Sequence, residues 1–253
     1  MNAARRGVAL LLCLALGLGL APGCSRPGRA PGASTGGGSA TASGGVDSPD
    51  EVEGEPAPRP GGAVVLGSPW RPRGMFNPIL TDEPGDQPVL SLVFEGLVAP
   101  GPDLRPVPAL AESWEYSRDG LTLTVRIRRG VLWHDGEPLD AAFTLRSILH
   151  PRYLGPFPGR FLEIKGAAAF RDGKAPGVEG IQVVDDYTLR ITTVRPYAPL
   201  LSELSIGLIP EHVLGQVPPE QMPRHPFNVR PVGTGPFRLT GYEGDRFVRL
   251  ERN

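Results

Sequence analysis

The chain has 253 residues, 26 of them Lys or Arg and 27 Asp or Glu, for a net charge of −1. That balance leaves no basic excess to follow phosphates, so nucleic acid is excluded as a partner. With only two cysteines, Cys13 and Cys24, the chain is not a disulfide-framed scaffold.

Arg5 and Arg6 precede a nearly unbroken apolar run from Gly7 to Leu20, too short to span a bilayer comfortably. With the small residues Ala21 to Gly23 behind it, segment 1–23 reads as an export leader. Its end has two readings: an ordinary secretory signal cut near Ala21 to Gly23, or a lipoprotein signal cut before Cys24, whose thiol then carries a lipid. Cysteine arithmetic favours the second. Cys13 leaves with the leader, so Cys24 is the one thiol that remains, at the first mature position. The segment resembles a lipobox, usually Leu-Ala-Gly-Cys, with Pro22 as a departure. The expected location is the cell envelope, lipid-anchored and facing the periplasm or the exterior. Residues 24–61 are rich in Gly, Pro, Ser and Ala and read as a flexible tether that holds a folded body off the membrane.

The body occupies residues 62–253. Ala63 to Leu66 reads as a short buried strand. A Pro- and Gly-rich loop from Arg71 leads to a helix over Pro88–Leu97, with Asp86 as its cap. From Leu121 the chain alternates: Leu121, Leu123, Val125 and Ile127 on one face, Thr122, Thr124, Arg126 and Arg128 on the other. That predicts one strand of a hairpin packed on a core, with turns at Arg118-Asp119-Gly120 and His134-Asp135-Gly136. Asp140 is placed to cap a helix over Ala141–His150, which Pro151 ends. Phe161–Phe170 reads as helical. A second hairpin spans Gly180–Val194 around Asp185-Asp186, and a third spans Pro236–Arg252 around Glu243-Gly244-Asp245. Short helices start at Pro199 and Pro210. Three hairpins with scattered helices predict an α+β or mixed α/β body.

The wording of these segments is more specific than their periodicity. Leu110-Ala111-Glu112-Ser113-Trp114-Glu115, Asp119-Gly120-Leu121-Thr122, Ile127-Arg128-Arg129-Gly130-Val131 and Trp133-His134-Asp135-Gly136-Glu137-Pro138-Leu139 resemble the signature region of the extracellular solute-binding proteins of family 5. These are the oligopeptide- and dipeptide-binding proteins of ABC importers. Phe94 to Leu97, Val183 to Ile191, Leu208 to Val213 and Pro231 to Phe237 continue the resemblance in order. It implies a mixed α/β, periplasmic-binding-protein-like fold of type II, a bilobed clamp of which this chain holds the first lobe and the accessory domain. Residues 62–94 and 211–253 then belong to the main lobe and 95–210 to the accessory domain. The hairpin at Pro106–Pro138 becomes a core feature of that domain, remote from ligand.

The resemblance implies a monomeric, non-enzymatic receptor that takes a peptide or other small solute and delivers it to ABC permease subunits. Ligand-binding positions carried over are Asn77, Thr81 and Asp82 in the first loop, Phe157 in the accessory domain, and Thr234 and Gly235 near the cleft floor. Asp82 is suited to meet a positive group on the ligand, directly or through water. The sequence departs from the family at two places. About three residues are missing after Leu139, and the stretch Leu250 to Asn253 breaks off inside a family motif. The break has two readings, a fragment of a working receptor or a truncated half-clamp that binds nothing. His134, His150, His212 and His225 show no metal-ligand spacing, and neither a nucleophile elbow nor a phosphate loop occurs, so no metal, cofactor or catalysis is expected.

Overall fold

The computed structural model describes residues 61–253 apart from Asp245. The leader, Cys24 and almost all of the tether lie outside the described residues. Elements follow in order: α1 (Gln87–Val93), β1 (Val98–Pro100), β2 (Pro106–Pro108), β3 (Ala111–Tyr116), β4 (Thr122–Ile127), α2 (Ala142–Leu149), α3 (Ala167–Arg171), β5 (Ile181–Asp185), β6 (Thr188–Thr192), α4 (Leu200–Glu203), α5 (Glu211–Leu214), β7 (Phe237–Glu243) and β8 (Phe247–Arg252). Two 3₁₀ turns, Met222–Arg224 and Pro226–Val229, lie between α5 and β7.

The alternating stretch becomes β4, the second strand of a four-stranded antiparallel sheet in the order β3-β4-β6-β5. Val125 stands opposite Trp114 on one side and Leu189 on the other, and Leu123 opposite Ile191. Leu123, Val125 and Ile191 are fully buried, as are Leu145, Ile148 and Leu149 of α2. Thr122, Thr124 and Arg126 keep the opposite, wetter face. All three expected hairpins form: β3–β4, β5–β6 and β7–β8.

Four local expectations are corrected. Ala63 to Leu66 is not a buried strand: Val64, Val65 and Leu66 are each more than 80% exposed, at 84%, 95% and 82%, and no described strand pairs with them. Apolar composition suits a strand, but a strand forms only where a neighbouring strand takes up its backbone donors and acceptors; here the segment is left to solvent. The helix from Pro88 stops at Val93, because the next residues pair elsewhere: Leu208 N–H donates to Glu95 O and Leu97 N–H to Leu204 O, both at 2.9 Å. The helix expected over Phe161–Phe170 shrinks to α3, since Phe161 and Gly166 both take positive φ and interrupt a continuous helix before Ala167.

The fourth correction concerns the two caps. Neither Asp86 nor Asp140 bonds its side chain to the helix that follows it. Asp86 turns back to the amides of Arg73 and Gly74, at 2.8 and 3.1 Å. Asp140 accepts the amide of Glu211 at 3.0 Å, joining α2's approach to the start of α5. Its second oxygen, Oδ1, is buried without a partner. Burial pushes the Asp140 carboxyl up to about 6, with Glu211 adding to the shift and the Glu211 amide and His212 opposing it.

Two predictions follow from this packing. Leu123→Ala should lower unfolding free energy in urea by about 2–5 kcal/mol, whereas Val65→Ser should change it by no more than about 0.5 kcal/mol. A large effect at Val65 would contradict the exposure of that segment. Asp140 has a raised folded pKa, so its stabilising contribution is complete below the unfolded value of 3.8 and is lost as pH rises through about 6. Across that window the loss is on the order of 3 kcal/mol. The stability of Asp140→Asn relative to the parent should therefore climb between pH 4 and pH 7.5; a difference that stays flat would contradict the assignment.

Candidate functional site

The first loop, residues 72–82, is fastened at several points before any ligand chemistry is considered. Phe76 N–H donates to Asn228 O at 2.7 Å. Asn77 is fully buried; its Nδ2 donates to Asn228 Oδ1 at 3.3 Å and its Oδ1 accepts the amide of Ile79 at 3.2 Å. Asn228 is itself held by Met222 O at 2.8 Å. Thr81 is buried as well. Its hydroxyl donates to Asp86 Oδ2 at 3.4 Å and accepts the amide of Glu83 at 3.1 Å. Asp82, between these fixed points, is exposed.

Tyr153 brings this loop to the second predicted piece. Its hydroxyl donates to Ile79 O at 2.5 Å and accepts the amide of Phe157 at 3.4 Å. One buried phenol thus spans the loop bearing Asp82 and the loop bearing Phe157. Burial pushes the Tyr153 hydroxyl up to about 12, and the nearby Asp82 carboxylate acts in the same direction, so the group stays a neutral donor. Gly155 is required here. A Cβ on it would run into Tyr153 Oη and Ile79 O. Phe157 is half-buried, with the Arg160 guanidinium 4.6 Å above its ring.

Thr234 and Gly235 lie at the other end of α1. Seven helical residues separate the Asp86 end from the Val93 end, about 10 Å along the axis. Gly235 N–H donates to Val93 O at 2.9 Å, and a Cβ at either Gly233 or Gly235 would strike the carbonyls that end α1. His134 grips the same turn from the opposite side. Its Nε2 is 2.9 Å from Gly235 O, its Nδ1 is 3.2 Å from Gly233 N, and its own amide donates to Gly233 O at 2.8 Å. Between the two glycines, Thr234 Oγ1 is buried without a partner. Asp82 and Phe157 are therefore joined through Tyr153, while Thr234 and Gly235 form a separate, rigid turn.

With this geometry in view, comparison with known proteins is decisive for kinship. Residues 105–253 match the bacterial extracellular solute-binding proteins, family 5, in the middle region of that family. The chain belongs to this family. Over 155 residues it is 34% identical to Protein XP55 of Streptomyces lividans, covering 60% of this chain and 26% of that protein. Over 187 residues it is 31% identical to a putative ABC transporter peptide-binding protein of Brucella ovis, covering 72% and 32%. The fold matches Haemophilus influenzae OppA, solved in complex with RPPGFSPFR, at a TM-score of 0.62 and 26% identity, covering 72% of this chain and 36% of that one. The type II periplasmic-binding-protein fold is thereby established for the part present. The chain spans between about a quarter and a third of the two curated relatives' length.

Sequence reasoning missed three positioning residues: Tyr153, His134 and Asp86. Asp86 read as a cap and His134 as half of a turn. Tyr153 gave no local signal, since its partner Ile79 is 74 residues away in the chain. Its role generates a prediction. Tyr153→Phe keeps the ring but leaves Ile79 O without its donor, which should cost about 1–3 kcal/mol. Amide exchange should accelerate at Leu80 and Phe157 but not in β4. Uniform acceleration, or none, would show that the phenol does not join the two loops.

Proposed function

We propose that this protein is the substrate-binding component of an ABC-type importer. It captures peptides or similar small solutes outside the cytoplasmic membrane and hands them to permease subunits. Residues 62–253 would supply one wall of the cleft, with 62–94 and 211–253 as main lobe and 95–210 as accessory domain. Cys24 would carry a lipid anchor after removal of residues 1–23, residues 24–61 would tether the body to the membrane, and the receptor would act as a monomer.

The observation that carries this reading is the Tyr153 bridge. It ties the loop bearing an exposed carboxylate, Asp82, to the loop bearing an aromatic residue, Phe157, two loops that are otherwise far apart in the chain. A carboxylate and a ring at one surface suit a peptide: the first meets an ammonium group, directly or through water, and the second packs against side chains of varied shape. The peptide-binding names of the relatives point to the same class of ligand. Closure of the clamp would then be a population shift, drawn toward the closed state by the contacts a ligand makes there.

Asn77 and Thr81 enter this proposal as the fixed frame of the loop, Asp82 and Phe157 as its contacts, and Thr234 and Gly235 as the cleft floor. The test is a titration of the ¹⁵N-labelled chain with a mixture of short peptides. Amide shifts should cluster at residues 79–82, 153–157 and 233–235. Asp82→Asn should weaken the response to peptides with a free amino terminus by about tenfold or more, the effect of one charge-assisted hydrogen bond. Absence of any shift at millimolar peptide, or shifts confined to β5 and β6, would overturn the proposal.

A further inference from the structure

The bonds around His134 specify more than its position. A backbone carbonyl can only accept a hydrogen bond and a backbone amide can only donate one. Nε2 faces Gly235 O at 2.9 Å, so Nε2 must carry the proton. Nδ1 faces the amide of Gly233 at 3.2 Å, so Nδ1 must be bare. The surroundings therefore accept one form only, the neutral Nε2–H tautomer. A second proton would set one N–H against another inside a half-buried site, a conflict relieved only when the turn and the ring part.

We propose that His134 is a positioning residue for the Gly233–Thr234–Gly235 turn, and that its protonation releases this turn and weakens ligand binding at acid pH. The second half of the proposal rests on the cleft reading given above; the first does not. Besides the Gly233 amide, three groups bear on the ring and a further one acts on one of those three. Gly235 presents its carbonyl, Arg238 approaches from β7, Asp135 stands in the same turn, and His212 of α5 engages Asp135 at 2.8 Å. Burial holds the His134 pKa below its ordinary value; the Gly235 carbonyl and Asp135 oppose that, and Arg238 adds to it. A depressed folded pKa means that the stabilising contribution is complete above the ordinary value near 6.5 and is lost as pH falls through the folded pKa. The turn is thus held at neutral pH and released in acid.

The experiment is a pH titration of the ¹⁵N-labelled chain, reading the imidazole nitrogens and the backbone amides together. The expected result is an Nε2–H ring at pH 7.5, a midpoint below 6.5, and Gly233 and Gly235 amides that move with the same midpoint. His134→Gln, which keeps a donor and an acceptor but does not titrate, should remove that transition while retaining the fold. Peptide affinity, followed by the same amide shifts, should fall by about tenfold from pH 7.5 to the acid side of the midpoint, the effect of one hydrogen bond lost. In His134→Gln it should stay level. An Nδ1–H ring, or a ring that titrates while the two glycine amides stay still, overturns the positioning role whether or not peptides bind. Coupled titration without any response to peptide supports the positioning role and overturns only the cleft reading.

Discussion

Asp86 has no exposed surface, and its carboxyl oxygens take donors from Arg73 N, Gly74 N and Thr81 Oγ1. A buried carboxyl without such partners would cost several kcal/mol, so the two stretches that supply them, Arg73–Gly74 and Thr81, are not free to drift. Asp86 also opens α1, whose far end receives the Gly235 amide. The loop with Asp82 and the turn with Thr234 are therefore referred to one short helix. Tyr153 and His134 extend that frame outward, the first to the Phe157 loop and the second to the hairpin after β4. What is rigid in this protein is the set of attachment points, and the exposed Asp82 is held by its neighbours and not by bonds of its own.

Period-two alternation made the sheet legible from the sequence. At β4 the side-chain pattern is decided by one buried face, and Leu123, Val125 and Ile127 fall on it as expected. The hairpins were legible for the same reason, together with Gly120 in the first turn. Other elements were not, because their signals are satisfied in more than one way. Ala63 to Leu66 has a strand's composition and no strand beside it. Asp86 and Asp140 stand before helices, as caps do, yet amides from distant segments compete for their oxygens and win. Of the candidate site, the sequence offered Asp82 and Phe157 by kinship alone. It gave no means of seeing that a tyrosine between them in the fold joins their loops.

The hairpin around Pro106–Pro138 changes meaning in the structure. Its last turn read as a plain connection. His134 and Asp135 instead point to different partners: His134 to Gly233 and Gly235, Asp135 to His212 Nε2. The two side chains bond to different residues and not to each other, so the pair fastens two later segments at once. Trp133, fully enclosed beneath, packs 6.3 Å from the His212 ring and gives the turn a fixed base. The most recognisable wording in the chain therefore marks the junction between the hairpin of β3 and β4 and the turn that bears Thr234.

These attachments also decide which conditions disturb the loops they hold. Arg195 and Glu163 form a two-pronged pair at 2.6 and 2.9 Å, and Arg152 meets Glu220 at 2.6 Å, but all four side chains retain solvent exposure. Exposed pairs contribute about 0–1 kcal/mol and weaken further with salt. Arg152 neighbours Tyr153, so salt loosens the surface of that loop first. The Tyr153–Ile79 bond beneath joins neutral groups out of water and is insensitive to ionic strength. Salt should thus alter the rim and leave the attachment points in place. Acid reaches one of them directly, because the imidazole of His134 is a half-buried attachment whose donor and acceptor pattern changes with a single proton.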